Sequence, residues 1–137
     1  MEPGRDVQEL SAQECYALLA EADIGRVILT AQALPTALPV SYVVDQGDIV
    51  FRTGPGTKLT AAGRGTVVAF EVDQFEPALR MGWSVVVTGV ASVVSSASEL
   101  RRLDELRIPH WVESSTQYVR LSASMVTGRR VAPAATA

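Results

Sequence analysis

"GWSVVVTGVASVV", residues 82–94, decides the fold. Its valines and threonine favour an extended chain, but thirteen residues are too many for an ordinary flat strand. Gly89 stands in the middle. A glycine there predicts a bend or bulge, where one strand serves two parts of a barrel.

Shorter strand patterns surround this stretch. "GRVILTA", "TALPVSYVVD", "DIVFRT" and "TVVAFEVD" precede it, while "TQYVRLSA" and "SMVTGRRVA" read as a last pair of strands. Asp45-Gln46-Gly47-Asp48 is a short hairpin connection. In "DIVFRT", Ile49, Phe51 and Thr53 share one face, and Val50 and Arg52 share the other. Helical patterns stand at the corners. "LSAQECYALLAEADIG" opens on a Ser11/Glu14 capping box, with Leu10 placed to staple against Cys15 and Gly25 just past the end. "TKLTAAGRG" reads as one or two helical turns, and "SASELRRLDELRI" as a helix with a second capping box at Ser96/Glu99. Connections this short exclude a parallel sheet with crossover helices. The expected architecture is mainly β with a few helices, a small antiparallel split barrel. Residues 1–9 read as a flexible arm, 10–132 as one domain and 133–137 as a disordered tail.

Composition narrows the function. The 137 residues are 47% hydrophobic and 20% charged, with a net charge of −3, so one soluble domain is expected. The acidic balance argues against nucleic acid as a partner. No apolar run approaches the roughly 20 residues that span a bilayer, and the N-terminus lacks the regions of a signal peptide, so a cytoplasmic location is expected. The high apolar fraction predicts a homodimer, since a small barrel exposes one face unless it pairs. Cys15, the only cysteine, excludes an internal disulfide and reads as core. His110, the only histidine, lacks the companions of a metal site or a hydrolase. Glu71 and Asp73 share a strand face, where a carboxylate pair and a plain barrel rim both fit.

The chemistry-bearing stretch is "FRTGPGTKL", residues 51–59. Arg52, Thr53, Thr57 and Lys58 place two cations and two hydroxyls around glycines that let a ligand approach the backbone. Lys58 is the only lysine among twelve basic residues. The Walker spacing is absent, leaving a phosphate-binding loop of another kind or an ordinary hairpin exit. In "LPVSYVVD", Pro39 implies an edge or bulge, freeing backbone groups from Pro39 through Ser41 for a flat heterocycle. Trp83 and Ser84 open the long strand, and Trp111 follows a helix end and Pro109, where a pocket wall explains it better than the core.

Together these pieces resemble the flavin-binding split barrels of the pyridoxamine 5′-phosphate oxidase-like superfamily, in particular its short nitroimidazole-resistance-type branch. "LSAQECYALL", "GRVILT", "LPVSYVVD", "IVFRTGPGTKL", "VAFEVD" and "GWSVVVTGVASVV" follow the family order over residues 10–95. The resemblance implies a homodimer with flavin mononucleotide (FMN) sites at the subunit boundary, and a flavin-dependent oxidoreductase of an unidentified small molecule. Arg52, Thr53, Thr57 and Lys58 would hold the phosphate. Pro39, Val40 and Ser41 would pass along the ring, Trp83 and Ser84 would approach from the partner, and Trp111 would close the pocket. Deazaflavin or haem on the same scaffold, or storage without turnover, are the alternatives. Arginines near the site, such as Arg64, Arg80 or Arg129, would favour the acidic deazaflavin tail. The family's C-terminal Arg-x-His element is absent, since the chain ends "VTGRRVAPAATA". That argues against oxidation of pyridoxamine phosphate itself.

Overall fold

The computed structural model describes residues 5–112 and 115–133. The elements in chain order are β1 (Arg5–Glu9), α1 (Ala12–Glu21), β2 (Ile24–Ala31), β3 (Leu34–Asp45), β4 (Asp48–Thr53), α2 (Lys58–Ala62), β5 (Arg64–Glu76), β6 (Met81–Val93), α3 (Ala97–Glu105) and β7 (Gln117–Pro133). The strands form one antiparallel sheet in the order β1-β7-β4-β3-β2-β5-β6, and β6 pairs back onto β7 to close the barrel. No helix among the described residues is long and apolar enough to cross a membrane.

Gly89 closes the barrel as its position predicts. The β6–β7 register slips between Thr88–Met125 and Gly89–Ala123, so Ser124 bulges out of the ladder. A Cβ on Gly89 would lie 1.8 Å from the Ser122 carbonyl oxygen, so only glycine admits this approach. β7 runs through the bulge as one continuous strand of 17 residues, not the expected pair. Its first residues pair with β4 and its last with β1.

Two other expectations change. Residues 5–9 are not a loose arm, because Arg5↔Pro133 through Glu9↔Arg129 extends the sheet edge. Pro133 therefore belongs to the sheet, and residues 134–137 of the expected tail lie outside the described residues. Gly25 is not a helix cap. α1 ends at Glu21 with Ala22 as its cap, and Gly25 lies buried in β2, where a Cβ would stand 2.3 Å from the Phe70 ring. Phe70 thus lies flat across the glycine and meets Tyr42 edge-on at 4.8 Å.

The barrel interior holds Val27, Leu29, Phe51, Phe70, Val72, Val85, Val87 and Leu121. Full burial of each large side chain contributes about 1.5–3 kcal/mol. α1 caps one end through buried Cys15, Leu18 and Leu19, and both halves of the Ser11/Glu14 box form at 3.1 Å. Burial raises the Cys15 thiol pKa, which suits a core residue.

α3 covers the outer face of β4. Val50 is completely buried beneath Leu103 and Ile108, with Tyr118 beside them. An ion cluster fixes the helix there. Asp45 accepts both guanidinium nitrogens of Arg102 at 2.8 and 2.9 Å and Arg120 Nη2 at 2.6 Å. Ser96 caps the helix, but the Glu99 carboxylate is drawn to Arg120 at 2.7 Å, so only half of the second capping box forms. The chain leaving α3 is thereby delivered to the Arg52 side of β4.

Candidate functional site

The β3–β4 ladder runs from Asp45–Asp48 to Tyr42–Phe51 and stops. Beyond it β3 stays on β2, with Arg26 opposite Pro39 and Ile24 opposite Ser41, while β4 stays on β7. The strands therefore part, leaving the β4-facing edge of residues 39–41 without a ladder partner. This matches the edge implied by Pro39. The opening is a cleft of about 240 Å³, lined by Pro39, Val40 and Ser41 on one wall and Arg52, Thr53, Gly54 and Thr57 on the other.

The segment after α3 crosses this opening. Trp111 Nε1 donates to Ser41 Oγ at 2.9 Å, although the indole is 80% exposed and Ser41 is buried. On the opposite wall, Arg52 Nε donates to the Ser115 carbonyl at 2.9 Å, and its Nη1 lies 2.8 Å from His110 Nδ1. A guanidinium only donates, so Nδ1 accepts and the imidazole proton sits on Nε2. The Arg52 carbon stands 5.3 Å from the Tyr118 ring centre, a cation–π distance. Arg52 is thus positioned by three residues before any ligand arrives.

The threonines shape the loop that follows β4. Thr53 and Thr57 hydroxyls lie 2.7 Å apart, and both Thr57 and Thr60 donate to the Gly54 carbonyl, at 3.1 and 2.5 Å. Gly56 needs its positive φ of 75° to turn this loop. The Thr57 hydroxyl also caps α2 by accepting Thr60 N–H at 3.1 Å.

Seven residues expected at a site therefore line one cleft: Pro39, Val40, Ser41, Arg52, Thr53, Thr57 and Trp111. Three do not. Lys58 lines a second cavity of about 560 Å³ between α2 and the β2–β3 turn. Trp83 packs partly against the barrel core and lines a separate hollow with Phe75 and Arg130. Ser84 sits in β6 opposite Asp73 and Arg129. His110 is the residue that sequence reasoning missed. Its place beside Trp111 was the available signal, but its link to Arg52, 58 positions away, is purely tertiary.

A carboxylate pair lies elsewhere on the barrel. Arg26 reaches Glu71 at 2.9 Å and Asp73 at 3.5 Å. Burial and the neighbouring Asp73 nonetheless push the Glu71 carboxyl up to about 7, against the pull of Arg26. Among the described residues the cleft pairs no nucleophile with a base, because the His110 nitrogen facing the wall is committed to Arg52. What it offers is a flat apolar slot, a free strand edge and a fixed cation. Those groups fit a planar heterocycle carrying an anionic tail, as a flavin does.

The sequence model described as pyridoxamine 5′-phosphate oxidase matches residues 11–130. The chain belongs to that family. An uncharacterised protein of Mycobacterium tuberculosis is 41% identical over 133 residues, covering 93% of this chain and 87% of the relative. The structure of the FAD binding protein from Mycobacterium smegmatis superimposes with a TM-score of 0.78 at 34% identity, covering 90% of this chain and 97% of the other. A Bacteroides thetaiotaomicron structure named for 5-nitroimidazole antibiotic resistance gives 0.76 at 14% identity, covering 93% and 89%. That last likeness concerns the fold alone, which is the split barrel expected from the sequence.

Proposed function

We propose that this chain is a flavin-dependent oxidoreductase of a small molecule, with the FMN portion of its cofactor seated in the cleft between β3 and β4. The observation that carries the reading is the early end of the β3–β4 ladder at Tyr42–Phe51, which opens a slot walled by residues 39–41 and Arg52. The 34% identical Mycobacterium smegmatis protein, named for FAD binding, supports a flavin. Arg64, Arg80 and Arg129, whose presence would favour a deazaflavin tail, line neither the cleft nor the second cavity.

Bound flavin would supply hydride or electron transfer, and the chain's own groups would orient it. Pro39 and Val40 present apolar surface to a ring, and the 39–41 backbone edge offers hydrogen-bonding groups. Arg52 holds positive charge at the other wall. Trp111 covers the mouth and limits water. Anaerobic addition of a reduced nicotinamide cofactor to the flavin-loaded protein tests turnover, with bleaching reversed by an electron acceptor as the expected result. A flavin that stays oxidised rules out nicotinamide-driven turnover. It favours the second reading, a carrier or sensor.

The assembly belongs to the same proposal. Ile24, Ile28, Val67, Val90 and Met125 are all exposed on the outside of β2, β5, β6 and β7. A second copy covering this face gives a homodimer, in which Trp83 and Ser84 complete the partner's cleft. Light scattering should then read about 29 kDa, twice the 14.6 kDa chain. A flavin-binding monomer contradicts it.

A further inference from the structure

Two carboxylates on the outside of the barrel share one cation. Arg26, Glu71, Val86 and Thr127 stand in one row across β2, β5, β6 and β7. Their chain neighbours Val27, Phe70 and Val87 are buried in the core, so this row points outward. Asp73 follows on the same face as Glu71. Both carboxylates reach the same nitrogen, Arg26 Nη1, at 2.9 Å from Glu71 and 3.5 Å from Asp73. With both ionised, the cluster keeps one uncancelled negative charge. The Glu71 side chain is only 21% exposed even in the single chain. Burial, then the hydrogen bond and charge of Asp73, push its carboxyl up to about 7. The remaining charged group on this face is Arg129, which pairs with Ser84 in the row of Asp73, while β3 and β6 bring Pro39, Ser84 and Val86.

This cluster stands inside the exposed apolar face. The row Ile28, Ala69, Thr88 and Met125 flanks it on one side, Ile24 lies on the other, and Val67 pairs with Val90 beyond. A two-fold dimer buries the same patch on both copies, so it takes two uncancelled carboxylates out of water. We infer that the second copy docks on this face with Glu71 protonated, so that forming the homodimer takes up one proton per chain. The neutral carboxyl leaves Arg26 and Asp73 as a balanced pair and escapes the cost of burying a charge. This rests on the homodimer reading. Because the dimer holds the proton more tightly than the single chain does, association is at full strength below about 7 and weakens as pH rises above it. Two protons per dimer set the limit, about a hundredfold per pH unit. Arg26 pairs with Pro39 across the β2–β3 ladder, so the cluster lies one strand from the cleft wall.

Sedimentation of the dye-labelled chain, from nanomolar to micromolar concentration, reads the dissociation midpoint at pH values from about 6 to about 9. Wild type should be level below about 7 and weaken at least about tenfold by about pH 9. Glu71→Gln has the shape of the neutral acid at every pH and should stay level throughout. Asp73→Asn should blunt the dependence, because Arg26 then has a single carboxylate to balance. Glu105→Gln removes the same unit of charge from the exposed surface of α3, and it should keep the wild-type profile. A wild-type midpoint that does not move with pH, as a partner cation over the carboxylates would produce, overturns the proton uptake. So does a Glu71→Gln dimer that weakens as wild type does, or a Glu105→Gln dimer that stays level. A chain that is monomeric at every pH overturns the homodimer reading and this inference with it; a dimer indifferent to pH overturns this inference alone.

Discussion

Asp45→Asn probes the cluster that brings α3, and with it the cleft's covering segment, onto the barrel. Asp45 is 9% exposed and accepts hydrogen bonds from Arg102 and Arg120. Arg102's hydrogen bonds, followed by those of Arg120, hold the carboxyl at about 2 instead of an ordinary 3.8, although burial pulls the other way. That depression corresponds to about 2 kcal/mol of folding free energy at neutral pH. Its sign follows from linkage. The folded state disfavours the proton, so the contribution is complete above the ordinary value and is lost as pH falls through about 2. Asparagine removes the charge but leaves Arg120 paired with Glu99 and Asp48. The cost should therefore stay near 2 kcal/mol, below the roughly 3–5 kcal/mol of an orphaned buried charge. Urea unfolding of both proteins at several pH values from neutral to about 2 reads the difference directly. A gap near 2 kcal/mol at neutral pH, shrinking below about pH 4, is expected. A gap that is absent, or that does not change with pH, would refute the reasoning.

Gly89→Ala should cost about 3 kcal/mol or prevent folding, since the methyl meets the Ser122 carbonyl at 1.8 Å; wild-type stability in denaturant would deny the bulge its role. Ser41→Ala removes the acceptor of Trp111 Nε1 and should cost about 0.5–1.5 kcal/mol. In a Trp83→Phe background it should also raise acrylamide quenching of Trp111, and unchanged quenching means that the bond does not hold the ring. Glu71→Gln tests the raised carboxyl. Folded protein keeps that proton longer than unfolded protein, so wild-type stability should fall as pH rises from the ordinary 4.5 through about 7. The glutamine variant should lose that slope in urea midpoints, and an equal slope in both proteins would contradict the shift.

What could be read from the sequence was local. Ser11 and Glu14 are three residues apart and Gln46-Gly47 is a two-residue turn, with φ of 53° and 81°, so each carries its own geometry. Gly89 was legible because only a close backbone approach explains a glycine amid valines. The cleft walls at 39–41 and 52–57 were legible as short motifs, each with its own chemistry. The β2–β3 turn was not, because Gln32 and Ala33 adopt positive φ of 52° and 63° without any glycine. β1 carries little apolar pattern and is held at the edge by its ladder to β7. Glu99 left its capping role for Arg120, and His110 found Arg52, through contacts that exist only once α3 has docked. Lys58 was noticed for its rarity, but which cavity it lines depends on the path of the loop.

The absorbance spectrum of the protein purified from its native host, after exhaustive dialysis, tests the central claim most directly. The account predicts that flavin absorbance stays with the protein, at about one flavin per chain. A protein that retains no flavin and takes none up when flavin is added, or one that carries the Soret band of haem instead, would contradict it.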